Sequence, residues 1–477
     1  MSKTVADRSP AVNAMLDAAE KGRALMGGTR QMQAEGTKYL PKNEAESEPA
    51  YKNRKALSWL FNGYKETVKD VTGRVFDVPV EIKDAPPDLD EWSKNIDLQG
   101  NDLSRFCRKV FKDAVAGSGI GYIMVDAPQA AGDETIAQVK AENLRPYLIH
   151  LRLEDVLGWQ TAIVNNVTVL DQIRIFETVS FKDPDDEFKS TELDQVRVID
   201  RVAAGENALG HTRTRLFRHP DGSKDDWIQW GEDIVGELPE ITIIPFYAER
   251  TGFFTGEPLL ADLADVNVAH WQSQSDQRNI MHAIRTPMLF GAGLKSDEDI
   301  VVSSAIATVT EDTNADLKWV EHTGKAAETG VNDLVRLERQ MEVHGLKMLA
   351  PRPGAQSATG EAIDALKETS TLSMTADELK DAMEVAVGWM GDFADQDFSG
   401  AQVDINKDFG VDVMDAQELL AMLSAVNTGN MSRETFIEEC ARRGVIRAEI
   451  KAKDEIDRIE AEGGGLMDDE DTLGGGG

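Results

Sequence analysis

The sequence predicts an α+β fold, and three observations carry that expectation. Residues 103–116 place Leu103, Phe106, Cys107, Val110, Phe111 and Val115 on one helical face. Residues 146–250 hold a succession of short strand-like runs separated by Asn, Gly, Pro and Asp turns, the pattern of an antiparallel body. From Pro258 onward the chain turns helical, with only brief strand segments between helices. At 477 residues with 41% hydrophobic and 6% aromatic content, the core is lean for the length. That favours two or three units, or one elongated subunit.

In chain order, residues 10–35 read as a polar, Ala-rich helix and "YLPKNEAESEP" as a break. Residues 50–72 carry Tyr51, Leu57, Leu60, Phe61, Tyr64 and Val68 at helical spacing. "FDVPVEI" reads as a strand and "DAPPDLDEW" as a turn-rich link. Asn101 or Asp102 is placed to cap the helix that runs through Ala116. "AGSGIGYIMVDAP", residues 116–128, then sets Gly117, Gly119 and Gly121 at alternate positions. A phosphate-cradling loop needs strand, glycines and helix in that order, because the anion sits on a helix N-terminus. Here a helix precedes and a strand follows, and a helix C-terminus repels anions. The reading is a C-cap followed by a tight turn into a buried strand. The strands expected after it are "RPYLIHL", "VLGWQTAIV", "VTVLDQIRIFETVSF", "VRVIDRVA", "HTRTRLFRH", "DWIQWG" and "ITIIPFYAE".

Beyond Pro258 a helix is expected through Ile284, stopping before Pro287. Its middle, Gln272 to Asn279, contains no apolar residue. A helix polar all round bridges solvent or packs against copies of itself through polar contacts. "MLFGAGL", "DIVVSSAIATV" and "LKWVEH" mark a small strand-bearing segment, and 330–347 a second helix. "MLAPRPGAQSATG" is a Pro- and Gly-rich loop. Thr359 is placed to cap a third helix, 360–395, on the order of 50 Å long. "AQVDINKDF" reads as a strand, and 414–446 as a helix pair whose second member opens at Ser432. The Gly-rich acidic tail reads as disordered.

Net charge is −34, which disfavours a protein that grips nucleic acid through a basic patch. It leaves open a conduit past which DNA slides, since each phosphate neutralised adds affinity through counterion release. No apolar run reaches the length of a membrane span, and the N-terminus lacks a signal-like apolar core. Cys107 and Cys440 are far apart in sequence and suggest a reducing compartment. His270 and His282 lie twelve residues apart on one helix, without the spacing of a metal pair, and read as structural. "GFFTGEP" lacks a nucleophile serine. Asp468, Asp469, Glu470 and Asp471 read as a solvated tail, and Asp297, Glu298 and Asp299 as surface charges. No triad, metal cage or phosphate loop emerges. The expectation is a non-enzymatic protein without cofactor or metal.

The order of these segments resembles the portal protein of tailed bacteriophages, in the group whose shared domain is described only as one of unknown function. The phrases that carry the resemblance include "IDLQGNDLSRFCRKVFKDAVAGSGIGYIMVD", "RPYLIHLRLEDVLGW", "IPFYAERTGFFTGEPLLADLADVNVAHWQSQSDQRNIMHAIRTPMLF", "MEVHGLKMLA" and "SATGEAIDALKETSTLS". They cover most of residues 38–410, and "MSRETF" looks like the start of a crown helix. The resemblance implies a portal-type subunit with a mixed α/β wing over 1–256 and an outgoing stem helix over 257–284. A small β clip takes 285–328, a returning stem helix 329–347 and a tunnel loop 348–358. The long tunnel helix and wing return take 359–409, a helical crown 410–463 and the tail 464–477. The crown is short for the family.

Such subunits assemble as a ring, usually dodecameric, at the portal vertex of the virion capsid, after assembly in the host bacterial cytoplasm. The resemblance further implies terminase large subunit docking, later head–tail adaptor docking, contacts with major capsid and scaffolding proteins, and transient, non-specific passage of double-stranded DNA. No membrane is involved. Lys347 and Arg352 are the expected DNA-facing residues. Gln272, Gln274, Asp276, Arg278 and Arg285 are expected at the stem between subunits or toward the channel, although Arg278 and Arg285 could equally pair with Asp276 or a neighbour's carboxylates. Lys295, Asp297, Glu298, Asp299, Lys318 and Trp319 are the expected docking surface of the clip. The alternative is a nucleotide-dependent or nuclease component of packaging, or another minor virion or adaptor protein.

Overall fold

The computed structural model describes residues 4–128, 142–183, 186–203, 210–220, 226–236, 238–284, 288–292, 316–320, 325–346, 370–407, 409, 416–442, 445–446 and 450–461. The fold is mixed α/β, in two compact units, residues 1–407 and 408–477.

The larger unit opens with α1 (Pro10–Glu35), capped by Ser9, whose Oγ accepts from the Val12 N–H. Next come α2 (Glu48–Leu57) and α3 (Gly63–Val75). The sequence pattern treats these as one helical stretch. The structure breaks it at 58–62, where Asn62 caps α3 by accepting from the Lys65 N–H at 2.9 Å. β1 (Glu81–Lys83) occupies only the end of the strand expected there. The expected link after it is instead a short helix, α4 (Pro87–Ser93). Proline at its start, with Asp88 and Asp90 in its first turn, suits a helix N-terminus. In α5 (Leu103–Ala116) Asp102 is the cap, accepting from the Arg105 N–H at 2.8 Å.

Two antiparallel sheets follow. β2 (Ile120–Asp126) is the central strand of a three-stranded sheet, between β3 (Tyr147–Leu151) and β9 (Ile243–Tyr247). β4 (Val156–Val164), β5 (Val167–Lys182), β6 (Ser190–Val202), β7 (His211–Arg218) and β8 (Ile228–Gly236) form a meander in sequence order. Ile120, Tyr122 and Met124 from the first sheet share one core with Ile173, Ile175 and Ile199 from the second, and Val12 and Met15 of α1 close it. Burial of this many aliphatic and aromatic side chains is the main stabilising term.

β10 (Arg250–Gly252) and β11 (Thr255–Gly256) form a tight hairpin, and α6 (Ala261–Ile284) leaves directly after it. β12 (Met288–Ala292) and β13 (Asp316–Val320) pair antiparallel, and α7 (Lys325–Leu346) returns. This returning helix begins at Lys325, inside the stretch assigned to the clip. α8 (Thr371–Phe393) then packs along β9 and β2. An unbroken helix over 360–395 is not what forms. Ser370 is extended (φ −70°, ψ 154°), and its side chain caps α8 by accepting from the Ser373 N–H. The Ser/Thr-rich "TSTLS" supplies local acceptors that compete with helix continuation. β14 (Gln402–Asp404) closes the unit by pairing with β1. In the smaller unit, α9 (Ala416–Asn427), α10 (Arg433–Arg442) and α11 (Ala452–Ala461) follow one another. Ser432 opens α10 by accepting from the Thr435 N–H.

The middle glycine after α5, Gly119, is explained by backbone crowding. Gly119 has φ +72°, and a Cβ there would lie 1.8 Å from the Glu257 carbonyl oxygen. Its own carbonyl accepts from the N–H groups of Ala248 and Glu249 at 2.8 and 3.1 Å. Its N–H donates to Ala114 at the end of α5. One residue thus ties helix, central strand and the approach to α6. Gly119→Ala is expected to destabilise the chain by about 3 kcal/mol or more, combining left-handed strain with a backbone clash. Urea denaturation checks this; a variant with wild-type stability would remove the account.

Candidate functional site

The segment that stands apart from the sheets is the excursion α6–β12–β13–α7. Its helices are antiparallel, as three contacts show in turn. Gln277 Nε2 donates to the Ala327 carbonyl at 2.7 Å, Ser273 Oγ donates to Asp333 at 3.0 Å, and His270 Nε2 lies 3.2 Å from Glu338. Gly330 lies at the crossing, where a Cβ would stand 2.0 Å from Gln277 Oε1 and displace the Gln277 side chain.

The base of α6 is seated on the N-terminal helices. Leu263, Ala264, Val268 and Trp271 are buried there. Asn267 is fully buried and spans the gap between α2 and α3, donating to the Phe61 carbonyl and accepting from the Tyr64 N–H. Gln272 donates to the Tyr39 carbonyl at 3.0 Å. Ser275 and Ser58 hydroxyls are 2.8 Å apart. Arg54, with only 4% of its side chain exposed, holds Glu46 through two 2.8 Å bonds and reaches Asp276 at 3.4 Å. Hydrogen bonds from Arg54 hold the Glu46 carboxyl below its usual value, while burial pushes Asp276 up against the pull of Arg54.

The polar belt is therefore largely spoken for inside the chain. Gln272 bonds the body and Asp276 pairs with Arg54, while Gln274 is half-buried with its Oε1 unpaired among the described residues. Arg278 is exposed, and the cation that Asp276 meets is Arg54 instead. Arg285, Lys295, Asp297, Glu298, Asp299, Lys347 and Arg352 lie outside the described residues, as do Asp468 to Asp471. On the small sheet, Lys318 pairs with Asp316 at 3.1 Å and sits over the Phe290 ring, and Trp319 is opposite Leu289 in register. Sequence reasoning missed Arg54, Asn267, Asp333 and Glu338. An arginine inside the amphipathic pattern of 50–72 is the one signal that was available.

The outer face of α7 is mixed, with half-exposed valines set among exposed Asn332, Arg336, Arg339 and Glu342. Val331, Val335 and Val343 are each about half exposed, while Leu337 and Met341 face inward and are buried. Ile280 and Phe290 add to the exposed apolar surface of the excursion. His270 is buried with its ring 5.2 Å from Phe61. Cys107 and Cys440 are buried, and burial pushes both thiols up. Among the described residues no cluster of three or more His, Cys, Asp or Glu is placed to hold a metal, and no helix is long and apolar enough to cross a membrane.

Residues 258–394 match the family described as a domain of unknown function, DUF4055. The match opens just ahead of α6 and closes just past α8, well under half of the chain. No curated protein matches in sequence. Among solved structures, a chain from the neck of a native GTA particle, at C12 symmetry, is 12% identical with a TM-score of 0.40, covering 78% of this chain and 88% of its own. A chain from the virion of a native gene transfer agent particle is also 12% identical, with a TM-score of 0.38, covering 80% and 89%. Likeness at that level carries no argument about fold or role.

The Arg54–Glu46 pair makes a double prediction. Arg54→Met leaves a buried carboxylate uncompensated and is expected to cost about 3–5 kcal/mol. Because the folded chain holds Glu46 below its usual value of 4.5, the pair's contribution is complete above pH 4.5. It is lost as pH falls through the folded value. Denaturation midpoints between pH 7 and 3 should therefore fall less steeply in Glu46→Gln than in the parent; identical slopes would refute the coupling.

Proposed function

We propose that the chain is a portal-type subunit. In this reading copies assemble as a closed ring at one capsid vertex, double-stranded DNA is driven through the lumen by a terminase motor, and head–tail adaptors dock there afterwards. The observation that carries it is the helix–small sheet–helix excursion, whose returning helix leaves three valines half exposed on an otherwise polar face. Isolated in one chain, Val331, Val335 and Val343 expose surface that a heterologous, ring-closing contact would cover. The phrases in which the sequence resembles portal proteins point the same way. So does a net charge of −34, which suits a conduit better than a clamp.

In portal terms, α6 and α7 are the stem, β12 and β13 belong to the clip, α8 is the wing end of the tunnel helix, and α9 to α11 form the crown. The small sheet with Lys318 and Trp319 is then part of the docking surface for motor and adaptor. The outgoing stem helix is held by the body through Asn267 and Arg54, so its polar belt chiefly anchors the stem, leaving α7 to meet the neighbour. The subunit itself performs no catalysis.

Negative-stain images of the purified chain are expected to show rings with a central hole. Val331→Glu with Val335→Glu should reduce the light-scattering mass to that of single chains while the circular dichroism spectrum stays unchanged. A parent protein that is a single chain at micromolar concentration would overturn the reading. Separately, Lys347→Ala with Arg352→Ala should leave rings intact but alter packaged DNA length or retention in a packaging-competent particle. Unchanged length and retention would make the loop a connector only.

A further inference from the structure

A groove runs between α8 and the β9–β10 corner, on the larger unit and away from the α6–α7 excursion. One part, about 650 Å³, has an apolar floor that includes Ile241, Ile243, Phe254 and Ala382. A second part, about 840 Å³, continues it, the two sharing Pro239, Glu240, Val385 and Trp389. The side of α8 facing this groove repeats at helical spacing: Glu378, Asp381, Val385, Trp389, Asp392. At 1.5 Å per residue that stripe is about 20 Å long.

The charge along the groove is lopsided. Glu240, Asp395 and Asp397 join the three acids of α8, against Arg201 and Arg250. Glu378, Asp381 and Asp392 carry no ion pair among the described residues. Burial and the neighbouring Asp381 push the Glu378 carboxyl up, more than Arg250 pulls it down. Arg250 instead lies over the Tyr247 ring, 4.8 Å from its centroid, so the wall already receives a guanidinium on an aromatic face. Trp389 donates to Glu240 at 2.8 Å, which fixes the indole at the junction of the two parts.

An apolar floor under an acidic, aromatic rim suits side chains with an aliphatic stem and a cationic head. We propose that this groove docks a basic peptide segment of a partner protein, lysine or arginine stems lying on the floor and their charges meeting Glu378, Asp381 and Asp392. Nucleic acid is repelled by the same carboxylates.

The test uses the full-length protein and fluorescence anisotropy with a labelled peptide alternating lysine and leucine. A glutamate–leucine peptide serves as the counterpart. The basic peptide is expected to bind and the acidic one not. Glu378→Gln, Asp381→Asn and Asp392→Asn together should weaken binding about tenfold or more. A control removing the same charge elsewhere, Asp17→Asn, Glu44→Gln and Glu81→Gln, should leave it within about twofold. Equal weakening in both triple variants would reduce the effect to diffuse charge and overturn the proposal. So would undiminished binding in the groove variant. A changed subunit number for that variant by light scattering would also overturn it, assigning the groove to a neighbouring copy.

Discussion

The passage of the Gly119 backbone against Glu257 is the constraint on which the rest of the larger unit depends. A Cβ on Gly119 would meet the Glu257 carbonyl, and one on Gly256 would stand 2.9 Å from the Gly119 oxygen. Two glycines let two backbones touch where no side chain has room. The contact sets the end of α5, the first residue of the central strand and the launch point of α6 together. The direction in which the excursion leaves the body is thereby inherited from the sheet, not from a flexible joint.

What the launch point begins, the polar seat completes. Hydrophobic burial holds the first turns of α6, but further along the helix turns to amide and hydroxyl groups. These find backbone carbonyls at Tyr39 and Ala327, the Ser58 hydroxyl and the Arg54 guanidinium, which donates to Ser275 Oγ. Hydrogen bonds of this kind add little net stability each, yet leaving one unmade is costly, so they specify geometry more than they add strength. A helix anchored in this way keeps its angle while its partner helix presents valines outward.

Much of the architecture was legible in the sequence because local chemistry determined it. Asp102 and Ser432 are caps that announce themselves, and the antiparallel meander follows from alternation and turns. The order helix–glycines–strand argues against a phosphate loop, and the backbone at Gly119 gives the reason that a glycine stands there. What was not legible was non-local. Nothing near Asp276 in sequence points to Arg54, more than two hundred residues away. The polar belt left solvent, other copies and intrachain partners as options that only tertiary packing could separate. The breaks at 58–62 and at Ser370 are cases where a short polar side chain found a backbone N–H, overriding a helical pattern that looked continuous.

The pairing of β1 with β14 has a consequence for how the chain is made. Lys83 lies beside Gln402, so this two-stranded sheet joins segments about 300 residues apart. During synthesis at roughly 5–20 residues per second, β1 waits on the order of 15–60 s before its partner strand leaves the ribosome. Closing so long a loop carries an entropic cost that local contacts do not. The sheets between them can form first, so this pair acts as a late latch. A chain interrupted between Phe393 and Gln402 would carry a nearly complete core with an unpaired strand edge, a species suited to chaperone capture.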